Sequence, residues 1–199
     1  MTNYNLDVLI DKEQLQLLLD NSYTLCIARK VNDQYNVVWK SIKDLKLEDN
    51  RFEWANKYQV FASNTFKAGA LVEAVSNDEP IQYGQECVLD EDKVMELAKA
   101  DPARPPDTFK VTNKNGAIPF GISADVGGEY HAIYVSPMIG KGHAVFAPVN
   151  EVRVWFALNL PTGTMFSDFT GEYIELRFGG GKNTSKICFD QSGTWKLIV

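Results

Sequence analysis

EVRVWFALN, residues 151–159, and EYIELRF, residues 172–178, decide the fold class. In the first, Val152, Val154, Phe156 and Leu158 alternate with Glu151, Arg153, Trp155 and Ala157. In the second, Ile174, Leu176 and Phe178 alternate with Tyr173, Glu175 and Arg177. Successive side chains of a strand point to opposite faces, so this period of two predicts strands with one face on a core and one toward water. The pattern belongs to antiparallel sheets rather than to parallel sheets covered on both sides. Segments 130–135 and 143–149, just upstream, read as strands of the same kind.

Working outward, 23–31 and 35–42 flank Asn32-Asp33-Gln34, a short polar connection suited to a hairpin. Segments 58–63 and 70–76 form a second pair. Asn77-Asp78-Glu79-Pro80 is a turn by composition and leads to a strand at 81–89. After it come 108–113, 117–123 and a closing pair, 186–190 and 194–199, joined through Gln191-Ser192-Gly193. Two segments read as helices. In 11–20, Asp11 caps, Gln14 completes a capping box, Ile10 and Leu15 form a staple, and Leu15, Leu18 and Leu19 share a face packed on the sheet. In 91–100, Asp90 caps and Val94, Leu97 and Ala98 fall at helical spacing. Asp101-Pro102-Ala103-Arg104-Pro105-Pro106-Asp107 ends that helix and reads as a rigid crossing loop. The expectation is one domain over 1–199, mainly β: an antiparallel β-sandwich or flattened barrel with two short helices.

A hydrophobic share of 45% supplies a sizeable core, and the net charge of −6 repels nucleic-acid phosphates. Cys26, Cys87 and Cys188 are odd in number, far apart and without zinc-ligand spacing, so they read as reduced structural thiols. No apolar run is long enough to span a bilayer, and no basic-then-apolar segment opens the chain. The expectation is a protein that is cytoplasmic as synthesised.

The chemical motifs are sparse. Gly179-Gly180-Gly181-Lys182 is not a phosphate loop, because Leu176 and Asn183 hold the places that need glycine and Ser or Thr. His131 and His143 are the only imidazoles, so any metal or acid–base site must draw on them, with Asp125 or Glu129 as the neighbouring carboxylate. Pro137, Gly140, Gly142 and His143 loosely resemble the second motif of cupins, which keeps a barrel-cavity enzyme as an alternative. No Gly-x-Ser-x-Gly elbow and no Cys–His neighbourhood occurs. The expectation is therefore no cofactor, no metal and no catalytic set.

Aromatic residues, 12% of the chain, are the remaining lead. Trp155 lies opposite the aliphatic row of 151–159, and Phe166 and Phe169 lie in a glycine-containing loop. Tyr134, Trp155, Phe166, Phe169 and Tyr173 are expected to form an exposed surface able to stack on sugars or settle among lipid headgroups. With the amphipathic segment 5–20 and the strand-rich body, this layout resembles the actinoporin-like β-sandwiches: sea-anemone cytolysins, thermostable direct haemolysins and fungal fruit-body lectins. The resemblance implies recognition of a membrane lipid or glycan, with pore formation and a homo-oligomer left open. A non-enzymatic binding protein is the leading expectation, and a protein–protein module whose aromatic face meets a partner is a third.

Overall fold

The computed structural model describes residues 2–167 and 171–198; their sixteen strands form four sheets of four. One sheet runs β16 (Trp195–Ile198), β15 (Thr184–Phe189), β1 (Asn3–Ile10) and β4 (Asn50–Ala55). A second runs β14 (Tyr173–Arg177), β13 (Pro148–Leu158), β2 (Tyr23–Val31) and β3 (Lys40–Ile42). The third is β11 (Glu129–Val135), β10 (Phe120–Val126), β5 (Tyr58–Ala62) and β6 (Glu79–Ile81). The fourth is β12 (Gly142–Phe146), β9 (Phe109–Asn113), β7 (Gln85–Leu89) and β8 (Lys99–Ala100). The order is nested. Strands β1–β4 and β13–β16 build the first two sheets, and β5–β12, between them in sequence, build the other two.

All four sheets feed one continuous apolar cluster, with Leu6, Val8 and Phe52 from the first, Leu25, Ile27 and Val154 from the second. Val60, Phe120 and Ile122 join from the third, and Leu89, Phe109 and Phe146 from the fourth. The fold is mainly β and sandwich-like, and no sheet among the described residues closes into a barrel. Pairing is mixed rather than purely antiparallel: β1 runs parallel to β15, and β7 parallel to β9. Alternation reports which face is buried and not which way a neighbour runs, so this difference is invisible in the pattern.

Both decisive segments are strands, but β13 departs from strict alternation: Val152 and Val154 are buried as read, while Leu158 is exposed and Trp155 on the opposite face is buried. Leu176 and Phe178 are buried while Tyr173, Glu175 and Arg177 are exposed, and β13 pairs antiparallel with both β14 and β2. Segment 70–76, expected as a strand, contributes only isolated bridges from Leu71 and Ala74.

At the N-terminus, 3–10 is a strand and not part of an amphipathic helix. Tyr4, Leu6, Val8 and Ile10 point into the core at a period of two, between β15 and β4. The helix α1 (Lys12–Asp20) follows, with Asp11 Oδ1 accepting from Glu13 N at 2.9 Å. The expected capping box does not form, because Gln14 Nε2 donates instead to the Gln191 carbonyl. Leu18 is buried and Leu15 packs on the core, but Leu19 faces outward.

The second expected helix, 91–100, is absent. Asp90 Oδ1 does accept from the N–H groups of Asp92 and Val94, as a cap would, but Lys93 takes φ +62° and Asp90 N bonds back to the Val94 carbonyl. A tight turn results, Met95 bridges to Leu89, and β8 joins the edge of β7. The capping chemistry of aspartate serves turns as readily as helices, and here the turn prevails.

Candidate binding cleft

Most of the expected aromatic surface is core. Trp155 is 1% exposed and packs with Cys26, Ala28, Val38 and Phe166, its ring 5.3 Å from that of Phe166. A second layer covers the outer face of β13 here, which is why the position opposite the aliphatic row is not solvent-facing. Tyr134 is buried in the main cluster beside Phe146. Tyr173 is exposed at 47%, and the Arg153 guanidinium lies 4.6 Å from its ring and 4.4 Å from that of Tyr35. Arg153 also bonds Glu175 through Nε and Nη2. Phe169 lies outside the described residues. Of the other four, Trp155, Phe166 and Tyr134 are buried and Tyr173 is exposed, so these four do not form one exposed aromatic face.

The histidines sit on different sheets, His131 on β11 and His143 on β12. Lys40 Nζ approaches His131 Nε2 at 3.1 Å and Glu129 at 3.3 Å. His131 Nε2 also lies 3.2 Å from Glu129 Oε2, so this one nitrogen faces a donor, Lys40, and an acceptor, Glu129, and its role depends on the ring's tautomer. Burial pushes its pKa down, and the neighbouring Lys40 charge pushes the same way. Among the described residues, no three His, Cys, Asp or Glu side chains gather to hold a metal ion.

A cleft of about 720 Å³ lies beside the edge strand β6. Pro80 stands in that strand, where a missing amide donor is tolerated. Tyr58, Tyr83 and Tyr130 supply its aromatic lining, and Asn56, Gln82 and Gln85 its amides. Lys57 and Glu79 add one charge of each sign, and Leu97 forms an apolar lip. The turn at Gln82–Gln85 is held by Gln85 Oε1 accepting from Gln82 N at 2.8 Å, with Gly84 at φ +76°.

Beneath the cleft is a directed hydrogen-bond chain. Arg29, on β2 and 0% exposed, shares the two N–H bonds of Nη2 among Tyr58 OH (2.5 Å), Asn150 Oδ1 (2.7 Å) and Asn56 Oδ1 (2.8 Å), and donates from Nε to the Val149 carbonyl. With the Tyr58 oxygen accepting from Arg29, its proton goes to Tyr83 OH at 2.9 Å, and Tyr83 donates to the Pro148 carbonyl at 2.7 Å. Burial raises both phenol pKa values, which keeps both protons in place as donors. Every Arg29 acceptor is neutral, and among the described residues no carboxylate pairs with it.

The floor is thus fixed by internal bonds while the walls are not. Among the described residues, no hydrogen-bond or ion-pair partner engages Lys57 Nζ, the Gln82 side-chain amide, Gln85 Nε2 or the Tyr130 hydroxyl. Such a site can offer flat rings and several uncommitted donors and acceptors to a polar ligand. None of its residues stands out in sequence, because Asn56–Tyr58, Glu79–Gln85 and Tyr130 meet only through tertiary packing. The one local hint is tyrosine flanked by glutamines at Gln82-Tyr83-Gly84-Gln85.

No family model matches the chain, and no curated protein and no solved structure matches it either.

Proposed function

We propose that this protein is a non-enzymatic, lectin-like recognition protein that binds a glycan in the tyrosine-lined cleft beside β6. The observation that carries the reading is the division of labour in the cleft. Its tyrosine floor is locked by the Arg29 chain, while the Gln82 amide, Gln85 Nε2, Lys57 Nζ and the Tyr130 hydroxyl engage no hydrogen-bond or ion-pair partner among the described residues. Sugars present an apolar ring face rimmed by hydroxyls, so they are held by aromatic rings and by amide and carboxylate side chains. Calorimetric titration with mono- and disaccharides tests the reading. Gln82→Ala and Tyr130→Ala are each expected to weaken binding by about tenfold, roughly 1.4 kcal/mol, with the fold unchanged. Absence of saccharide binding, or binding indifferent to both substitutions, overturns it.

A lipid-surface reading has a separate observation in its favour. The connection between β5 and β6 exposes Phe66, Leu71 and Val75. Backbone bonds hold that connection, from Gly69 N to the Met165 carbonyl (2.8 Å) and from Val72 N to the Gly163 carbonyl (2.9 Å). A fixed apolar loop of this kind suits an interface between water and lipid. Sedimentation with mixed-lipid vesicles, lost in Phe66→Ala/Leu71→Ala, is the outcome this reading requires; no sedimentation removes it.

A further inference from the structure

Glu79 is the buried charge of the cleft. It is 9% exposed, and its Oε1 accepts the Ala98 N–H at 3.2 Å. Its Oε2 has no hydrogen-bond or ion-pair partner among the described residues. Oε2 is left open to the water of the cleft, and a carboxylate oxygen facing a cleft is free to accept a charge-assisted hydrogen bond from a bound cation. The chain's own cation in the cleft is badly placed for that. In the β5–β6 ladder Val60 stands opposite Glu79 and Tyr58 opposite Ile81, so Lys57 belongs to the far end, three residues from Val60. At strand spacing that is about 10 Å along the ladder. Tyr58, Tyr83 and Tyr130 line the same cleft, and tyrosine ring faces attract cations.

We infer that the ligand presents a protonated amine to Glu79, and that within the glycan reading, on which this inference rests, the preferred sugar is a free hexosamine rather than a neutral or N-acetylated one. The ammonium donates to Oε2 and lies against the tyrosine rings, and the sugar ring and its hydroxyls meet Gln82, Gln85 and Tyr130. An N-acetyl group removes the charge and puts an amide where the ammonium would sit. Shared amine chemistry also admits a non-sugar amine, so the experiment carries an arm for each source.

The experiment titrates the full chain and Glu79→Gln with a glucosamine disaccharide, its N,N′-diacetylated form, cellobiose and putrescine. The substituted side-chain amide keeps an oxygen for the Ala98 N–H, and an unchanged urea midpoint verifies that the variant folds. The expected result is at least about tenfold tighter binding of the free-amine disaccharide than of the other two, with the gap closed in Glu79→Gln. Lys57→Ala leaves the gap open. Equal binding of all three disaccharides, or a gap that survives Glu79→Gln, overturns the amine inference and leaves the glycan reading standing. Glu79-dependent binding of putrescine with no disaccharide bound supports the amine site and overturns the glycan reading. Binding of none of the four overturns both.

Discussion

The Arg29 guanidinium and the Tyr58 ring make two contacts at once: Nη2 donates to the Tyr58 hydroxyl at 2.5 Å, and the guanidinium carbon lies 5.0 Å from the ring centroid. Arg29 belongs to β2 and Tyr58 to β5, so the pair joins the outer set of sheets to the inner set. Arg29→Met should destabilise the protein by at least about 2 kcal/mol, since Tyr58, Asn56, Asn150 and the Val149 carbonyl all lose a donor. Arg29→Lys should recover little, because a point-like ammonium cannot serve that fork of acceptors. Urea midpoints of the three proteins check this, and a Lys variant as stable as wild type would show that charge alone suffices.

Gly121 stands opposite Phe61 in the β10–β5 ladder, and a Cβ there would come within 2.1 Å of Phe61 Cζ. The ring lies over the glycine, so no rotation of an added methyl avoids it. Gly121→Ala should cost about 1–3 kcal/mol or more from overpacking. Gly121→Ala/Phe61→Leu should regain part of the loss, measurable by thermal unfolding.

Trp155 should act on stability and not on recognition. Trp155→Ala is expected to cost about 3–5 kcal/mol by emptying the pocket among Cys26, Val38 and Phe166. The affinity of the surviving folded fraction for saccharides should be unchanged. Loss of affinity at full stability would return Trp155 to the binding surface.

Acid should remove the stability that the Asp190 turn gives the β15–β16 hairpin. Asp190 accepts from Ser192 N, Thr194 N and both hydroxyls of that turn, and pairs with Lys196. The Lys196 contact, then the turn donors, hold its carboxyl well below the usual aspartate range. A depressed folded-state pKa means that the unfolded chain binds the proton more readily. Its contribution is therefore complete above the ordinary aspartate value of about 4, and declines as pH falls below it. Asp190→Asn should flatten the acid limb of the stability profile, and an unaltered limb would exclude this group as its source.

Native thiol chemistry should be confined to Cys188. Cys26 and Cys87 are fully buried, and burial pushes their pKa values up to about 11 and about 12. The thiolate is the reactive form, so both should resist a thiol reagent that reaches the half-buried Cys188. In denaturant all three should react. Rapid native labelling of three thiols would contradict this packing.

How much of this was legible in sequence follows from what each pattern encodes. The alternation in 151–159 and 172–178 and the apolar run 23–31 gave real strands, the last with unchanged bounds. Alternation could not say that β1 lies parallel to β15, nor that a second layer covers Trp155. Tyr4, Leu6, Val8 and Ile10 carry the same period of two, overshadowed by the helix signal that begins at Asp11. The cleft was illegible for a different reason. Glu79 lies within an ordinary-looking turn composition, and its carboxylate acquires meaning only when packing brings it into one cleft with Tyr58, Tyr83 and Tyr130.

The nested strand order also sets a schedule for synthesis. A ribosome that has released residue 146 has delivered every strand of the two inner sheets, so these can pair while translation continues. β1 and β2 by then have only β4 and β3 as neighbours, each leaving one long edge bare until β15 and β13 emerge. Those waiting edges, rather than any surface of the finished protein, are where misassembly between nascent chains has its best opportunity.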